Sequence, residues 1–329
     1  MDESRMQKDE PEKKSHKTRN SIIVVILLIL LAAVGFGSYK YMSIKNAVDK
    51  SYKSAGIHKE RDTAKLLKDK KPISILLMGT DTGELGRDYK GRTDTMMVVT
   101  INPRTNKTLV TSIPRDTAVN IPGYASDSPA KINAAYAYGS AKTSIETVQQ
   151  MLNIPIDYYA VINMHGLEQI VNQVGGVTIK PELTFDYEGY HFEKGKSTQM
   201  NGKKSLAYSR MRYSDPRGDF GREQRQRQLL EAVVQKSGSV SSLLNKGFID
   251  SISKSTQTDM NFSDLTSIAE HYLGARKNME NTYLQGQQGE MIDGQSMEVT
   301  PKSELQKTTN NIRTSLDLPY KETGSIALH

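Results

Sequence analysis

The chain of 329 residues contains no cysteine and no tryptophan. Without cysteine there is no disulfide, no thiolate metal site and no thiol nucleophile. The six histidines are scattered without an H-E-x-x-H pair, and no G-x-S-x-G nucleophile elbow occurs, so zinc and serine-hydrolase chemistry are disfavoured. Only His165 falls inside a core-patterned segment, where a structural role outweighs a catalytic one. Gly189 to Ser197, GYHFEKGKS, fails as a phosphate loop: five residues separate its glycines where four are needed, and no buried strand leads into it. It reads as a hairpin. No internal repeat is found. Chemistry must therefore come from oxygen, nitrogen or a bound ion.

What is present is a globular composition, 36% hydrophobic and 25% charged, long enough for one large domain. The formal charge of +7 points to acidic partners such as nucleic acid, anionic lipid or a phosphorylated substrate. Residues 1 to 20 hold six Lys or Arg against five Asp or Glu, so nearly all of the excess lies beyond residue 20.

From Ser21 to Gly37 the sequence SIIVVILLILLAAVGFG carries no charge. With the residues to Met42 it reaches the ~20 needed to cross ~30 Å of hydrocarbon. It is read as a transmembrane signal-anchor over 21–42, against the alternatives of a cleaved signal peptide, which Ala33-Val34-Gly35 weakly supports, and a buried core helix. Lysines and arginines flank both ends almost evenly, so charge does not orient it. The short 1–20 segment is the cheaper end to leave in the cytoplasm, which puts the domain outside. Residues 43–70, rich in Lys, Ser and Asp, read as a stalk.

The apolar runs Ile73 to Met78, Met96 to Ile101 and Thr108 to Ile113 read as buried strands, the last two joined by turn residues Asn102 to Asn106. Asn133 is a candidate N-cap for an amphipathic helix over Ala134 to Leu152. Strand is expected at Tyr158 to Ile162 and Val177 to Ile179. Helices are expected at His165 to Val174, Gly202 to Tyr208 and Gly221 to Lys236, then at Asp264 to Leu273 and Lys302 to Leu316. Asp293-Gly294 reads as a turn. Alternation of strand and helix predicts a layered α/β sheet.

Charge concentrates in the loops beside the strands, where open α/β sheets bind ligands: Gly79-Thr80-Asp81, Gly91-Arg92-Thr93-Asp94-Thr95 and Pro114-Arg115-Asp116-Thr117. Six arginines lie further on, between Arg210 and Arg227. If Arg210 and Arg212 lie in extended chain, they form a fork on one side. Arg222 and Gln226 align with Leu229 and Val233, so they point inward at a helix N-terminus that already favours anions. Arg217, Arg225 and Arg227 are expected to be solvated. Asp81 and Asp94 can share a Mg²⁺, which prefers one or two carboxylates plus phosphate oxygens. Arginines with such a metal site suggest pyrophosphate.

These residues resemble the LytR-CpsA-Psr family, envelope proteins of mostly Gram-positive bacteria. The resemblance rests on Leu77-Met78-Gly79-Thr80-Asp81, Gly91 to Met96, Ser112 to Thr117, Asn201-Gly202 with Tyr208-Ser209-Arg210-Met211-Arg212, and Gly218 to Arg222 with Arg225-Gln226. It covers about Lys71 to Lys236. It implies a layered α/β/α domain behind one N-terminal span, with a core at 71–238 and its C-terminal part and tail at 239–329. It also implies a Mg²⁺- or Mn²⁺-dependent phosphotransferase moving an anionic glycopolymer, teichoic acid or capsule, from polyprenyl pyrophosphate to peptidoglycan outside the cell membrane. Asp81 and Asp94 would be metal ligands, acting in catalysis with Arg115, and Arg92, Arg115, Arg210, Arg212, Arg222 and Gln226 would hold the pyrophosphate. Asp116 and Asp219 match motif positions without an assigned role. The alternatives are a lipid-pyrophosphate-binding sensor or attenuator, and a hydrolase without transfer. A nucleic-acid-binding regulator is rejected, because 20 residues before the span are too few for a helix-turn-helix.

Overall fold

The computed structural model describes residues 48–80, 91–236 and 255–328, with three isolated positions before residue 48. The expected anchor at 21–42, except Met42, and Asp81 in the 81–90 segment lie outside the described residues. No helix among the described residues is long and apolar enough to cross a membrane.

The domain is mixed α/β, built on a central sheet. A short helix α1 (Thr63–Lys68) leads into strands β1 (Ile73–Thr80), β2 (Thr93–Asn102) and β3 (Lys107–Ser112). Two-residue strands β4 (Ala118–Val119) and β5 (Ala130–Lys131) precede helix α2 (Ala134–Leu152), strand β6 (Tyr158–Asn163) and helix α3 (Met164–Gln173). Short strands β7 (Val177–Ile179), β8 (Phe185–Tyr187), β9 (Tyr190–Phe192) and β10 (Thr198–Met200) lead to helices α4 (Gly202–Arg210) and α5 (Asp219–Lys236). The C-terminal part adds β11 (Thr256–Thr258), α6 (Phe262–His271), β12 (Met279–Tyr283), the hairpin β13 (Gln287–Ile292) and β14 (Gln295–Val299), and α7 (Lys302–Ser315).

Six described strands form the main sheet in the order β11-β6-β1-β2-β3-β12. β1 runs antiparallel to β2 and parallel to β6, which explains its continuous apolar run: a strand with neighbours on both sides and helices on both faces has no wet side. Leu76, Met78, Met96 and Val98 face one core with Ile145 and Val148 of α2 and Leu305 and Ile312 of α7. Leu77 and Met97 face the other side, toward α3 and α5. Each fully buried aliphatic side chain contributes about 1.5–3 kcal/mol. β1, β3 and β6 all end, and β2 begins, at one end of the sheet. Gly79 lies there because a Cβ on it would stand 3.1 Å from Thr95 Cβ on β2.

The residues expected as a stalk pack on the domain from residue 48 onward. Val48 and Leu67 are buried, Lys53 N–H donates to the Thr258 carbonyl at 2.8 Å, and Tyr159 O–H donates to the Lys53 carbonyl at 2.6 Å. Two of their charges are paired inward: Arg61 binds buried Asp157, and Lys59 lies 3.0 Å from buried Asp259. The far C-terminus is likewise held, with Leu328 N–H donating to the Ala118 carbonyl at 3.0 Å.

Four further expectations change. α2 has its expected bounds but breaks at Gly139 and Ser140, whose φ is 61°. Asn133 makes no capping bond, because its own backbone is already helical (φ −65°, ψ −19°) where a cap needs extended dihedrals. His165 is exposed on α3 and lies 2.9 Å from Gln169 Nε2, outside the core. Of the segment read as a hairpin, Gly189 to Ser197, only the second strand, β9, belongs to one: it pairs with β8, which precedes the segment, across the turn at Glu188 and Gly189.

Candidate functional site

The strand ends gather the charged loops into one site. Asp94 opens β2, Arg115 and Asp116 follow β3, and α5 brings Asp219 and Arg222 across from the other side. Arg115 Nη1 donates to Asp94 Oδ1, and Arg115 Nε stands 3.5 Å from Asp219 Oδ2 and 3.9 Å from Asp116 Oδ2. Arg222 Nη2 donates to Asp219 Oδ2 at 2.9 Å and to the Asp94 carbonyl at 3.2 Å. Arg212 Nε lies 3.5 Å from Asp219 Oδ1, and Lys131 Nζ 2.9 Å from Asp116 Oδ1. Burial works against the Arg115 charge, but Asp219, Asp94 and Asp116 together raise its pKa above the usual arginine value. Burial lowers that of Arg222, with Arg115 adding repulsion against the pull of Asp219.

Hydrogen bonding here is incomplete. Arg115 Nε, Arg222 Nε, Asp219 Oδ1, Glu223 Oε2, Gln226 Oε1 and Asn133 Oδ1 are buried with no hydrogen-bond partner. Leaving a buried polar atom unsatisfied costs about 1–3 kcal/mol, so a cluster of both signs is a place for water or a polar ligand to complete the bonding. Two hollows open beside it. A polar cleft of about 470 Å³ carries Arg92, Arg115, Lys131 and Arg212 against Asp94 and Asp116, with Asn133 in its wall. On the opposite side, an apolar cavity of about 120 Å³ lies between the sheet and helices α3 and α5, walled by Leu77, Met97, Leu167, Ile170, Leu229 and Val233. Thr95, Asn163, Ser209 and Gln226 supply its polar lining.

The expected site residues are thus partly assembled. Asp94, Arg92, Arg115 and Arg212 share the cleft, Arg222 joins them through Asp94 and Asp219, and Gln226 faces the apolar cavity. The extended fork does not form. α4 continues through Arg210, whose Nη1 lies 3.8 Å from Glu188, while Arg212 turns toward Asp219.

Arg225 and Arg227, expected in solvent, are buried. Arg225 donates to the Tyr208 carbonyl at 3.1 Å, to Asp215 Oδ2 at 2.5 Å and to the Met211 carbonyl. Arg227 donates to Ser112 Oγ at 2.7 Å beneath the Phe220 and Tyr283 rings. The expectation allowed α5 one buried stripe, whereas its first half is enclosed on several sides. Gly221 shows how tightly: a Cβ there would meet Asp215 Oδ2 at 1.9 Å.

Lys131, Asn133 and Glu223 were not foreseen at the site. Asn133 carried only a capping signal, and Lys131 no signal at all. Burial, then the charge of Asp219, push the Glu223 carboxyl up to about 8.

Among the described residues no three His, Cys, Asp or Glu side chains converge as a metal cage. Asp94, with its side chain 27% exposed in the polar cleft, is a hard oxygen donor of the kind Mg²⁺ takes singly or in pairs.

The strand ends of this helix-flanked sheet thus present arginines and carboxylates in a polar cleft, and an apolar cavity lies between the sheet and α3 and α5. The LytR_cpsA_psr family model matches residues 38–314, and the chain belongs to the LytR-CpsA-Psr family. It is 40% identical over 288 residues to the polyisoprenyl-teichoic acid–peptidoglycan teichoic acid transferase TagU of Enterococcus faecalis, covering 87% of this chain and 93% of that one. The TagU of Bacillus subtilis is 36% identical over 312 residues, covering 92% and 97%. The crystal structure of protein gbs0355 from Streptococcus agalactiae superposes with a TM-score of 0.73 at 36% identity, covering 83% of this chain and 96% of that one.

Proposed function

We propose that the protein is a phosphotransferase that moves an anionic glycopolymer of the teichoic-acid type from a polyprenyl pyrophosphate carrier to peptidoglycan, outside a membrane to which residues 21–42 anchor it. The observation that carries this is the cluster of unsatisfied buried atoms, cationic and carboxylate, between a basic cleft and an apolar cavity. A pyrophosphate lipid needs both environments within one molecule's reach. The names of the family relatives point to the same reaction.

Arg92, Arg115, Arg212 and Arg222 bind the pyrophosphate oxygens, and the guanidinium nitrogens of Arg115 and Arg222 that lack partners supply new charge-assisted bonds. Arg210 joins them only on leaving Glu188. The first carbons of the lipid enter beside Gln226 among Leu167, Leu229 and Val233. Asp94, with Asp81, holds Mg²⁺ or Mn²⁺, which when bound neutralises charge on the phosphates. An acceptor hydroxyl attacks the phosphorus that bears the glycopolymer, the bond to polyprenyl phosphate breaks, and that phosphate leaves against the arginines. Catalysis is then mainly positioning and electrostatics.

Mass spectrometry of the lipid that co-purifies with the protein tests the reading. A polyprenyl phosphate or pyrophosphate is expected. A protein that neither retains nor binds such a lipid contradicts it.

A further inference from the structure

A second polar cleft, of about 240 Å³, opens beside the first and shares Asp116 and Arg212 with it. Its other walls are Asp219 and the β13–β14 hairpin, through Gly289, Ser296, Met297 and Glu298. The hairpin is not a loose appendage. Glu298 N–H donates to the Asp116 carbonyl at 2.8 Å, so β14 is tied to the loop that carries Arg115. Gly286 N–H donates to Glu298 Oε1 at 3.0 Å, which fixes that side chain within the hairpin base.

The two clefts differ in charge. The first has four cationic side chains against two carboxylates, and the second has one, Arg212, against Asp116, Asp219 and Glu298. A phosphate is drawn to the first and repelled by the second. Carboxylates are acceptors only, so the second cleft suits a ligand rich in hydroxyl donors. An independent observation points the same way. Asp219 is 9% exposed, with Oδ2 committed to Arg222, yet Oδ1, with Arg212 Nε 3.5 Å away, has no hydrogen-bond partner in a side chain that walls this cleft.

We infer that the cleft between Asp219 and the β13–β14 hairpin is the subsite for the acceptor sugar, a neutral pyranose whose reacting hydroxyl donates to Asp219 Oδ1. The inference rests on the proposed transfer reaction and deepens it. Asp219 sits between the clefts: through Oδ2 it holds Arg222 and stands 3.5 Å from Arg115, and through Oδ1 it receives the hydroxyl. In the transfer the hydroxyl oxygen forms the new bond to phosphorus as the bond to polyprenyl phosphate breaks. The hydroxyl proton passes to Asp219 and from there to solvent. A volume below the ~300–1,000 Å³ of ordinary ligand pockets fits one sugar ring, with the remainder of a glycan strand running along the hairpin. A fixed hydroxyl also outcompetes water through its effective concentration.

Ser296 is exposed on the wall of this cleft, so a bulky replacement fills the cleft without disturbing the core. The test uses the full chain in detergent, a lipid pyrophosphate-linked saccharide, Mg²⁺ and peptidoglycan oligomers as acceptor. In Ser296→Phe the acceptor KM should rise at least tenfold while the Kd for polyprenyl pyrophosphate stays within twofold. Asp219→Asn should lower kcat for transfer. Transfer with an unchanged acceptor KM in Ser296→Phe overturns the subsite and leaves the proposed reaction standing, as does a loss of lipid binding equal to the loss of acceptor. If the unsubstituted protein joins no product at any acceptor concentration, the reaction itself falls and the subsite with it.

Discussion

Asp215 Oδ2 accepts a hydrogen bond from Arg225 Nη1 at 2.5 Å, and both side chains are sealed from solvent. Burial alone would raise the Asp215 pKa, but hydrogen bonds from Arg217 and Arg225 hold it down to about 2. Removing one partner of a buried pair strands the other charge. Arg225→Ala should therefore destabilise the domain by about 3–5 kcal/mol. Arg217→Ala, at a side chain a third exposed, should cost much less. Urea unfolding of the two variants checks this, and equal small losses would return Arg225 to the surface.

Glu223 gives a pH dependence with a definite sign. Its carboxyl titrates near 8 in the folded chain and near the ordinary glutamate value when unfolded. The folded state therefore binds the extra proton across that window. The stability this supplies is complete below about pH 4.3 and is lost as pH rises toward 8. Glu223→Gln keeps the shape and removes the titration, so its Tm should fall less than that of the unsubstituted protein between pH 5 and pH 8. Identical slopes would place an ionised Glu223 in the fold.

Arginines at the site should separate from arginines and lysines elsewhere. Arg115→Ala and Arg222→Ala should each weaken binding of a polyprenyl pyrophosphate by roughly 1.5–3 kcal/mol, the scale of a charge-assisted hydrogen bond. Lys107→Ala, at an exposed pair with Glu280, should change it little. Calorimetry of the three variants decides, since equal losses would describe a diffuse basic surface instead of a site.

Asp94→Ala should abolish Mg²⁺-dependent turnover while the thermal transition persists, because Asp94 is partly exposed and Arg115, its main contact, keeps Asp219 and Asp116 within 4 Å. Full activity of that variant in excess chelator would reject a metal role.

The central strands were legible because β1 to β3 and β6 are buried on both faces, and continuous apolar runs say so without a partner in view. The bounds of α2 followed from periodicity, but its break did not, since Gly139 and Ser140 leave the apolar spacing intact. The strands of the C-terminal part were missed for the opposite reason. β11 reads Thr-Gln-Thr and β12 reads Met-Glu-Asn-Thr-Tyr, polar sequences at the edges of the main sheet, held by backbone pairing to β6 and β3. At the site, Asp94 and Arg115 were readable as charge beside strand ends, and Arg222 as a cation pointing inward at a helix N-terminus. The burial of Arg225 and Arg227 was not, because the carboxylate, carbonyls, hydroxyl and rings that receive them lie 7 to 115 residues away along the chain.

Transfer of a phosphoryl-linked glycopolymer, rather than its hydrolysis or mere binding, is decided by the product. The full chain, a lipid pyrophosphate-linked saccharide, Mg²⁺ and peptidoglycan oligomers are mixed, and the products are read by mass spectrometry. A saccharide joined to the oligomer through a phosphodiester, together with released polyprenyl phosphate, is the predicted result. Free saccharide phosphate alone at every acceptor concentration would make the protein a hydrolase, and uncleaved lipid would make it a binder.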